Sequence, residues 1–468
     1  MPNGALEKIA EKLDGRQVIT SGDLLEQRRQ DWWNASNIRN LSTNPVPCPA
    51  GVVQPKTLED VQNIVRIASE FKTPIVPYGL GSGVCGGIQT QGNEILLDMS
   101  KMNRVRQIDE ANMLAWFDAG KRGIEAEQDV AQKGFTIGHW PQSIDLSSVG
   151  GWVATRASGQ YSTAYGNIED IVYAIEAVLP NGEVIVAGKS PRASSGPDLK
   201  HLLLGSEGTL AVITGVAFSM RKAATSKLGS IFLAKDMDEA FEAQRQLIQA
   251  GWRPPVIRQY DVSESARHFG DAIDEDGVVL LMVHEGDPDC IAIEKKRIAE
   301  IAKSSGLRIG DDAIVEQWLE HRNKVPTFTE LLEKDIVVDT IEVAAPWTKI
   351  GNVYRKVTEA MSQIPGLLAG TGHSSHAYRS GANLYFTFAG RMSGVEEQSD
   401  FYFNVWDTVM QVTAAEGGGI AHHHGIGRVR KNYLELDLGP EGISALRAVK
   451  TALDPHNIMN PGVLLPDV

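Results

Sequence analysis

Five glycines and a serine fall between Gly79 and Gly87, in the run Pro77-Tyr-Gly-Leu-Gly-Ser-Gly-Val-Cys-Gly-Gly87. Glycine has no Cβ and reaches positive φ freely, so such a run can turn successive backbone N–H groups toward one concavity. A cluster of N–H groups is an anion nest, and a pyrophosphate suits it. Ser82 adds a hydroxyl. Gly81 to Gly86 also spells G-x-G-x-x-G, which marks a Rossmann fold only between a strand and a helix. A short strand at Pro74 to Val76 precedes the run. A loop, Ile88-Gln-Thr-Gln-Gly-Asn, and a second strand, Ile95 to Asp98, follow it. No helix would stand beneath the phosphates, so the Rossmann reading is rejected. A phosphate nest of another kind and a bare surface loop remain.

At 468 residues the chain has room for two domains with full cores. A net charge of -14 argues against nucleic acid as a partner. Cys48, Cys85 and Cys290 are widely spaced, form no metal pattern and suggest a reducing compartment. With no membrane-length apolar run and no signal-like N-terminus, a cytoplasmic protein is expected. A homodimer stays open.

Along the chain, residues 1–45 read as a polar lead-in with one or two helices, its Trp32-Trp33 pair packing on the first domain. Thr57-Leu-Glu-Asp60 is a capping box, and Val61, Ile64, Val65 and Ala68 form one helical face. Strands follow at Ile95 to Asp98 and Leu114 to Asp118, then a helix from Ile124 to Gln132. Gly138 to Gly159 reads as a long ordered loop of the ligand-binding kind. Asn181-Gly182 between Ile171–Pro180 and Glu183–Ala187 is a hairpin signal. A second unit has strands at Ser230 to Ala234, Val256 to Tyr260, Gly277 to His284, Asp335 to Val343 and Asn383 to Phe388. Its helices are expected at Met237 to Ala250, Ile291 to Lys303, Trp347 to Ser362 and Val395 to Ala415. Ala421-His-His-His-Gly-Ile-Gly427 and a turning tail, Asp454 to Gly462, close the chain.

Four segments, Pro77-x-Gly-x-Gly-Ser82, Gly150-Gly151, Tyr165-Gly-x-x-x-Asp170 and Gly205-Ser-Glu-Gly-Thr-Leu210, occur in order. They resemble the FAD-binding segments of the vanillyl-alcohol-oxidase/PCMH flavoprotein superfamily. Thr136-Ile-Gly-His-x-Pro-x-Ser143, Ala345-Pro-Trp347, Tyr385-Phe and His422-His-His-Gly425 are similar to the alkylglycerone-phosphate synthases within it.

The resemblance implies an α+β fold: a PCMH-type, two-subdomain FAD-binding domain over 46–224 and an α+β cap of the FAD-linked oxidase C-terminal type over 225–410. A final segment, 411–468, would carry the histidine run and pack on the FAD domain. The implied cofactor is FAD, lined by Pro77, Gly79, Leu80, Gly81, Ser82 and Gly83. Gln142, Ser143, Ser147, Ser148 and Gly151 would continue the lining, then Thr155, Ala157 and Ser158, then Glu207, Gly208 and Ile213. The glycine loop offers no histidine and Cys85 stands at the wrong step, so non-covalent FAD is expected.

Neighbouring histidines point in different directions, so His422, His423 and His424 cannot easily share one ion. They suit proton transfer near neutral pH. Arg258 and Arg322 carry forks that match a carboxylate or phosphate, or are ordinary ion pairs. By the resemblance, Tyr385, both arginines and the histidine run form the catalytic set. Metal-dependent hydroxy-acid dehydrogenases of the superfamily carry His…Gly-Asp-Gly-Asn-x-His. Here His376-Ala-Tyr-Arg-Ser-Gly-Ala-Asn-Leu-Tyr385 lacks the aspartate and the last histidine, so no metal is expected. Two activities follow: a FAD-dependent oxidoreductase that oxidises a small anionic hydroxy acid or alcohol by hydride transfer to flavin N5, with an unspecified electron acceptor, or an alkylglycerone-phosphate synthase without net redox. The short N-terminal extension, the lysine-free Gly159 to Tyr165 loop and Asn460-Pro-Gly462 favour the oxidoreductase.

Overall fold

The structure is a computed structural model and describes residues 2–270, 273, 277–324 and 328–467. Two small sheets, with a two-stranded ribbon of Phe135–Thr136 and Arg221–Lys222, make the first half of the chain. In one, Ile75–Tyr78, Ile95–Asp98 and Gly51–Val53 run parallel, and Val18–Ile19 adds an antiparallel edge. Helix Leu58–Phe71 crosses between its strands. Thr57 accepts the Asp60 N–H, the Asp60 carboxylate reaches back, and Lys72 closes the helix in the left-handed region. Its face of Val61, Ile64, Val65 and Ala68 is fully buried, together with Ala5 and Ile9 of helix Pro2–Lys12.

The second sheet is antiparallel, in the order Val105–Asp109, Leu114–Asp118, Val212–Ser219, Val172–Val178, Val184–Ala187. Asn181-Gly182 turns the last hairpin, with Gly182 at φ +80°. No helix follows the glycine loop: the chain runs through turns into Ile95–Asp98.

The cap is a seven-stranded sheet, antiparallel throughout. Val256–Tyr260 at its centre pairs with Leu367–Ser374, followed by Gly381–Arg391 and the edge strand Ile336–Pro346. Helices Met237–Gln249, Trp347–Ser362 and Val395–Ala415 bury one face and give the largest apolar core. The other face looks toward the glycine loop. The tail ties both halves together, because Ile75 donates its N–H to Ile458 O and Asn460 donates to Ile75 O.

Some elements differ from the sequence reading. The stretch 138–159 is not all loop, since Val149–Thr155 is a helix capped by Ser148. Its two glycines hid it, yet packing requires the first of them: a Cβ on Gly150 would sit 2.8 Å from Ala119 Cβ. Strand Leu367–Ser374 is glycine-rich, with poor strand propensity, and is held between partners on both sides. Helix Leu434–Leu453 was masked by Gly439-Pro440, where the backbone kinks. Trp33 packs against Gly86 of the glycine loop and also joins the cap core, where its Nε1–H donates to Tyr402 of helix Val395–Ala415 at 3.0 Å. Among the described residues no helix is long and apolar enough to cross a membrane.

Candidate active site

The glycine loop and the cap face enclose a cavity of about 350 Å³. Every residue expected to face the cofactor, from Pro77 to Ile213, lines it. So do Arg258, Tyr385, His423 and His424. Arg322 lines instead a second space of about 1000 Å³ that shares Arg258, His373 and Tyr385 with the first and opens outward. His422 stands behind His423, their Nδ1 atoms 2.7 Å apart.

The floor is made of backbone. The N–H groups of Gly79 to Gly83 donate to no acceptor among the described residues. A Cβ on Gly79 would lie 2.3 Å from Ser148 Oγ, and Gly81 holds φ +76°. Glu207, itself left-handed at φ 49°, accepts the Ile426 and Gly427 N–H groups at 2.7 and 2.8 Å. It thereby ties the Gly-Ser-Glu-Gly loop to the histidine loop, while burial pushes its carboxyl up to about 7. Asn460 donates to Gly87 O and Glu207 O, and leaves its own Oδ1 buried without a partner at the cavity wall. Free N–H groups, glycines that cannot carry a Cβ and an orphaned buried oxygen together fit a dinucleotide with a pyrophosphate.

The roof is made of side chains in two ion-linked groups. In the first, the buried Glu264 accepts from His373 Nδ1 at 2.8 Å. His373 Nε2 lies 3.0 Å from Arg258 Nη2. A guanidinium only donates, so Nε2 is the acceptor and the proton sits on Nδ1. Burial would raise Glu264, but His373, bonded to it through Nδ1, takes its carboxyl down to about 2. His373 stacks on Tyr385 at 4.7 Å, and Arg258 Nε–H donates to Tyr260 at 2.7 Å.

In the second group the buried Glu342 bonds Arg430 at 2.6 Å and His424 Nδ1 at 2.7 Å. Burial opposes its charge, yet Arg430 and then His424 hold its carboxyl well below the ordinary range. His424 Nε2 is left without a partner among the described residues. Burial, together with its histidine neighbours, holds His423 well below the ordinary imidazole range. Burial takes His422 down to about 4, against the opposing pull of the Glu342 carboxylate. Both are therefore neutral near pH 7. Burial also raises Tyr385, whose Oη accepts from Thr340 at 3.0 Å.

Nitrogen atoms of His376, His422 and His423 lie within 4.8 Å of one another, a spacing that could hold a metal. Most are already engaged: His376 with Gly159 O and Ser375, His422 with Tyr378 and His423. His373, Glu264 and Glu342 escaped the sequence reading. The pair His373-x-x-His376 in one short stretch was the available signal, and a carboxylate inside an apolar strand, Thr340-Ile-Glu-Val343, was the other.

Such a floor and roof define a flavin-dinucleotide enzyme. Sequence profiles agree: a FAD binding domain matches residues 49–188, and the C-terminal domain of FAD linked oxidases matches residues 227–464. The chain belongs to the FAD-linked oxidoreductase family, and its cofactor is FAD. FAD-linked oxidoreductase YgcU of Escherichia coli is 32% identical, with 98% of each chain covered. Alkyldihydroxyacetonephosphate synthase of Caenorhabditis elegans is 28% identical over 97% of this chain and 82% of its own. Glycolate oxidase subunit GlcD of Bacillus subtilis is 27% identical over 88% of each. A crystal form of an alkyldihydroxyacetonephosphate synthase shares the fold, with a TM-score of 0.82 at 23% identity over 98% of this chain and 84% of that one.

Proposed function

We propose that this protein oxidises an anionic hydroxy acid to the corresponding keto acid, with FAD held non-covalently. The observation that supports this most is a pair of arginines, Arg258 and Arg322, lining the space that reaches Tyr385. Arg258 and Arg322 bind no carboxylate among the described residues and instead lie against the faces of Trp318, Tyr260, Trp140 and Tyr161. Guanidinium groups held ready beside a cavity are a site for a carboxylate. Against the ring of Tyr385 stands His424, with a free nitrogen and a carboxylate behind it, the arrangement of an oriented general base.

In this reading the substrate carboxylate lies on Arg258 and Arg322. Tyr385 Oη, protonated because of its burial, donates to the substrate hydroxyl oxygen and orients it. The hydroxyl proton passes to His424 Nε2, and Glu342 stabilises the imidazolium. FAD, when bound, supplies the two-electron acceptor for the hydride leaving the hydroxyl carbon. One C–H and one O–H bond break, one C=O bond forms, and two electrons and two protons leave the acid. Cys85 is no candidate for a flavin bond. Its Sγ accepts from Arg430 at 3.0 Å, and burial pushes its thiol up.

A second reading, alkyl-for-acyl exchange on a ketone phosphate, is favoured by the 28% identity to the C. elegans synthase. Anaerobic mixing of the oxidised flavoprotein with hydroxy acids separates the two. Bleaching of the flavin band by a hydroxy acid supports oxidation. Bleaching only by an acyl ketone phosphate, reversed by a fatty alcohol, rejects it.

A further inference from the structure

The outer space of about 1000 Å³ leads from Tyr385 and Arg258 to the surface, between the N-terminal segment and the cap. Its volume reaches the upper end of what a drug-sized ligand fills. A two- or three-carbon acid would leave most of it to water. The nature of its walls therefore bears on what extends outward from the reacting carbon.

One wall is a connected row of amides. Asn40 Nδ2 donates to Gln30 Oε1, Gln30 Nε2 to Asn37 Oδ1, Asn37 Nδ2 to Asn34 Oδ1, and Asn34 Nδ2 to Val338 O, all between 2.7 and 3.1 Å. Asn34 and Asn37 are three apart on helix Asn34–Asn40 and so share a face. Each amide carries two N–H groups and two carbonyl lone pairs, so the row keeps part of its capacity free. The opposite wall adds Gln317, His321 and Lys324 beside Arg322. Flat apolar faces interleave with these groups, Trp32 at 38% exposure on one side and Trp318 on the other.

An alkyl chain laid along this surface would strip water from the amides and return no hydrogen bond, at about 1–3 kcal/mol for each polar group left unpaired. A chain of hydroxyl groups supplies a partner for each amide, and its C–H edges suit the indole faces.

Resting on the oxidoreductase reading above, we propose that the substrate is a polyhydroxylated carboxylic acid, a five- or six-carbon sugar acid, whose distal hydroxyls are read by the amide row Gln30, Asn34, Asn37 and Asn40. It is oxidised at the hydroxyl next to the carboxylate, with the hydride going to bound FAD and the proton to His424.

Anaerobic single-turnover reduction tests this. The holoenzyme is mixed with glycolate, both lactates, tetronates, pentonates and the stereoisomeric hexonates, and with an acyl dihydroxyacetone phosphate. The limiting rate over Kd for the best sugar acid is expected to exceed that for lactate by about 10-fold or more, or ~1.4 kcal/mol of extra recognition. Asn37→Leu is expected to bring that ratio close to one. Equal or faster reduction by glycolate or lactate overturns the sugar-acid assignment and leaves hydroxy-acid oxidation standing. An undiminished ratio in Asn37→Leu removes the amide row from recognition and overturns the assignment as stated. Absence of reduction by every hydroxy acid, or bleaching by the acyl phosphate alone, overturns both this inference and the reading on which it rests.

Discussion

The floor and the roof of the cavity solve the same problem with different materials. The floor meets an anion with free N–H groups from Gly79 to Gly83, contributed by consecutive residues. The roof offers guanidinium groups, of which Arg258 is held by His373, itself bonded to Glu264 more than a hundred residues away in the chain. A backbone nest needs only that side chains be missing. A side-chain relay needs each partner to be placed by a different strand. The floor is thus local and intolerant of added atoms, and the roof is distributed and intolerant of lost ones.

The sharpest way to break the comparison is to add atoms to the floor. A side chain on Gly79 would meet Ser148 Oγ, which caps the next loop's helix. Gly79→Val is expected to purify as folded protein without flavin, with the 450 nm absorbance gone and far-UV circular dichroism kept. Full flavin occupancy in that variant would mean the nest does not hold the cofactor.

Removing an atom from the roof should act on stability instead. Glu342 is fully buried between Arg430, also fully buried, and His424. Breaking a buried pair on one side leaves the other charge uncompensated and costs about 3–5 kcal/mol. Glu342→Gln is expected to lose roughly that much in urea unfolding and to lose turnover as well, since His424 loses its orienting carboxylate. A variant that loses turnover at unchanged stability would leave orientation of His424 as the sole role of Glu342.

This difference in materials also decides what the sequence could show. Pro77-x-Gly-x-Gly-Ser82 was legible because a nest is written in consecutive letters, and its whole expected lining meets in one cavity. Thr57 and Asp60 were legible for the same reason, since a capping box is local. Tyr385 and the histidine run stood out as motifs. Nothing in the order of residues paired Glu264 with His373 or Glu342 with Arg430, because those contacts exist only once the seven-stranded sheet sets its register. Helix Val149–Thr155 was missed because its Gly150-Gly151 pair favours a loop, and the need for Gly150 shows only in its packing against Ala119.

A milder test of the roof keeps a ring in place and removes its two hydrogen bonds, the one Nε2 accepts from Arg258 and the one Nδ1–H donates to Glu264. His373→Phe retains a ring against Tyr385 but takes away the Nε2 that holds Arg258. His373 is a positioning residue here, so the loss should fall on KM rather than on the limiting rate. A rise in KM of about 10- to 100-fold, worth ~1.4–2.7 kcal/mol, is expected at full flavin content. A drop confined to the limiting rate would place His373 in the chemistry itself.

The smallest expected effect lies under the floor, where a titratable ring is packed as if it were apolar. His139 is fully buried, neither ring nitrogen has a hydrogen-bond partner in the structure, and it stands edge-on to Trp152 at 4.6 Å. Burial alone drops its pKa from 6.5 to about 3. Between those two values the unfolded chain binds a proton that the folded chain refuses, so stability must fall as pH falls through 6.5 and go on falling toward 3. At pH 5.5 the loss from this one ring is about 1.4 kcal/mol relative to pH 8. His139→Phe removes the proton site while keeping a flat ring against Trp152, and a buried group without partners can be replaced by an apolar one at little cost. The melting temperature of the variant should therefore decline less than that of the parent between pH 8 and pH 5.5, with the two closest at the alkaline end. Parallel decline in both proteins would mean that His139 finds a partner for its proton in solution, and that the floor, like the roof, depends on a side chain for part of its hold.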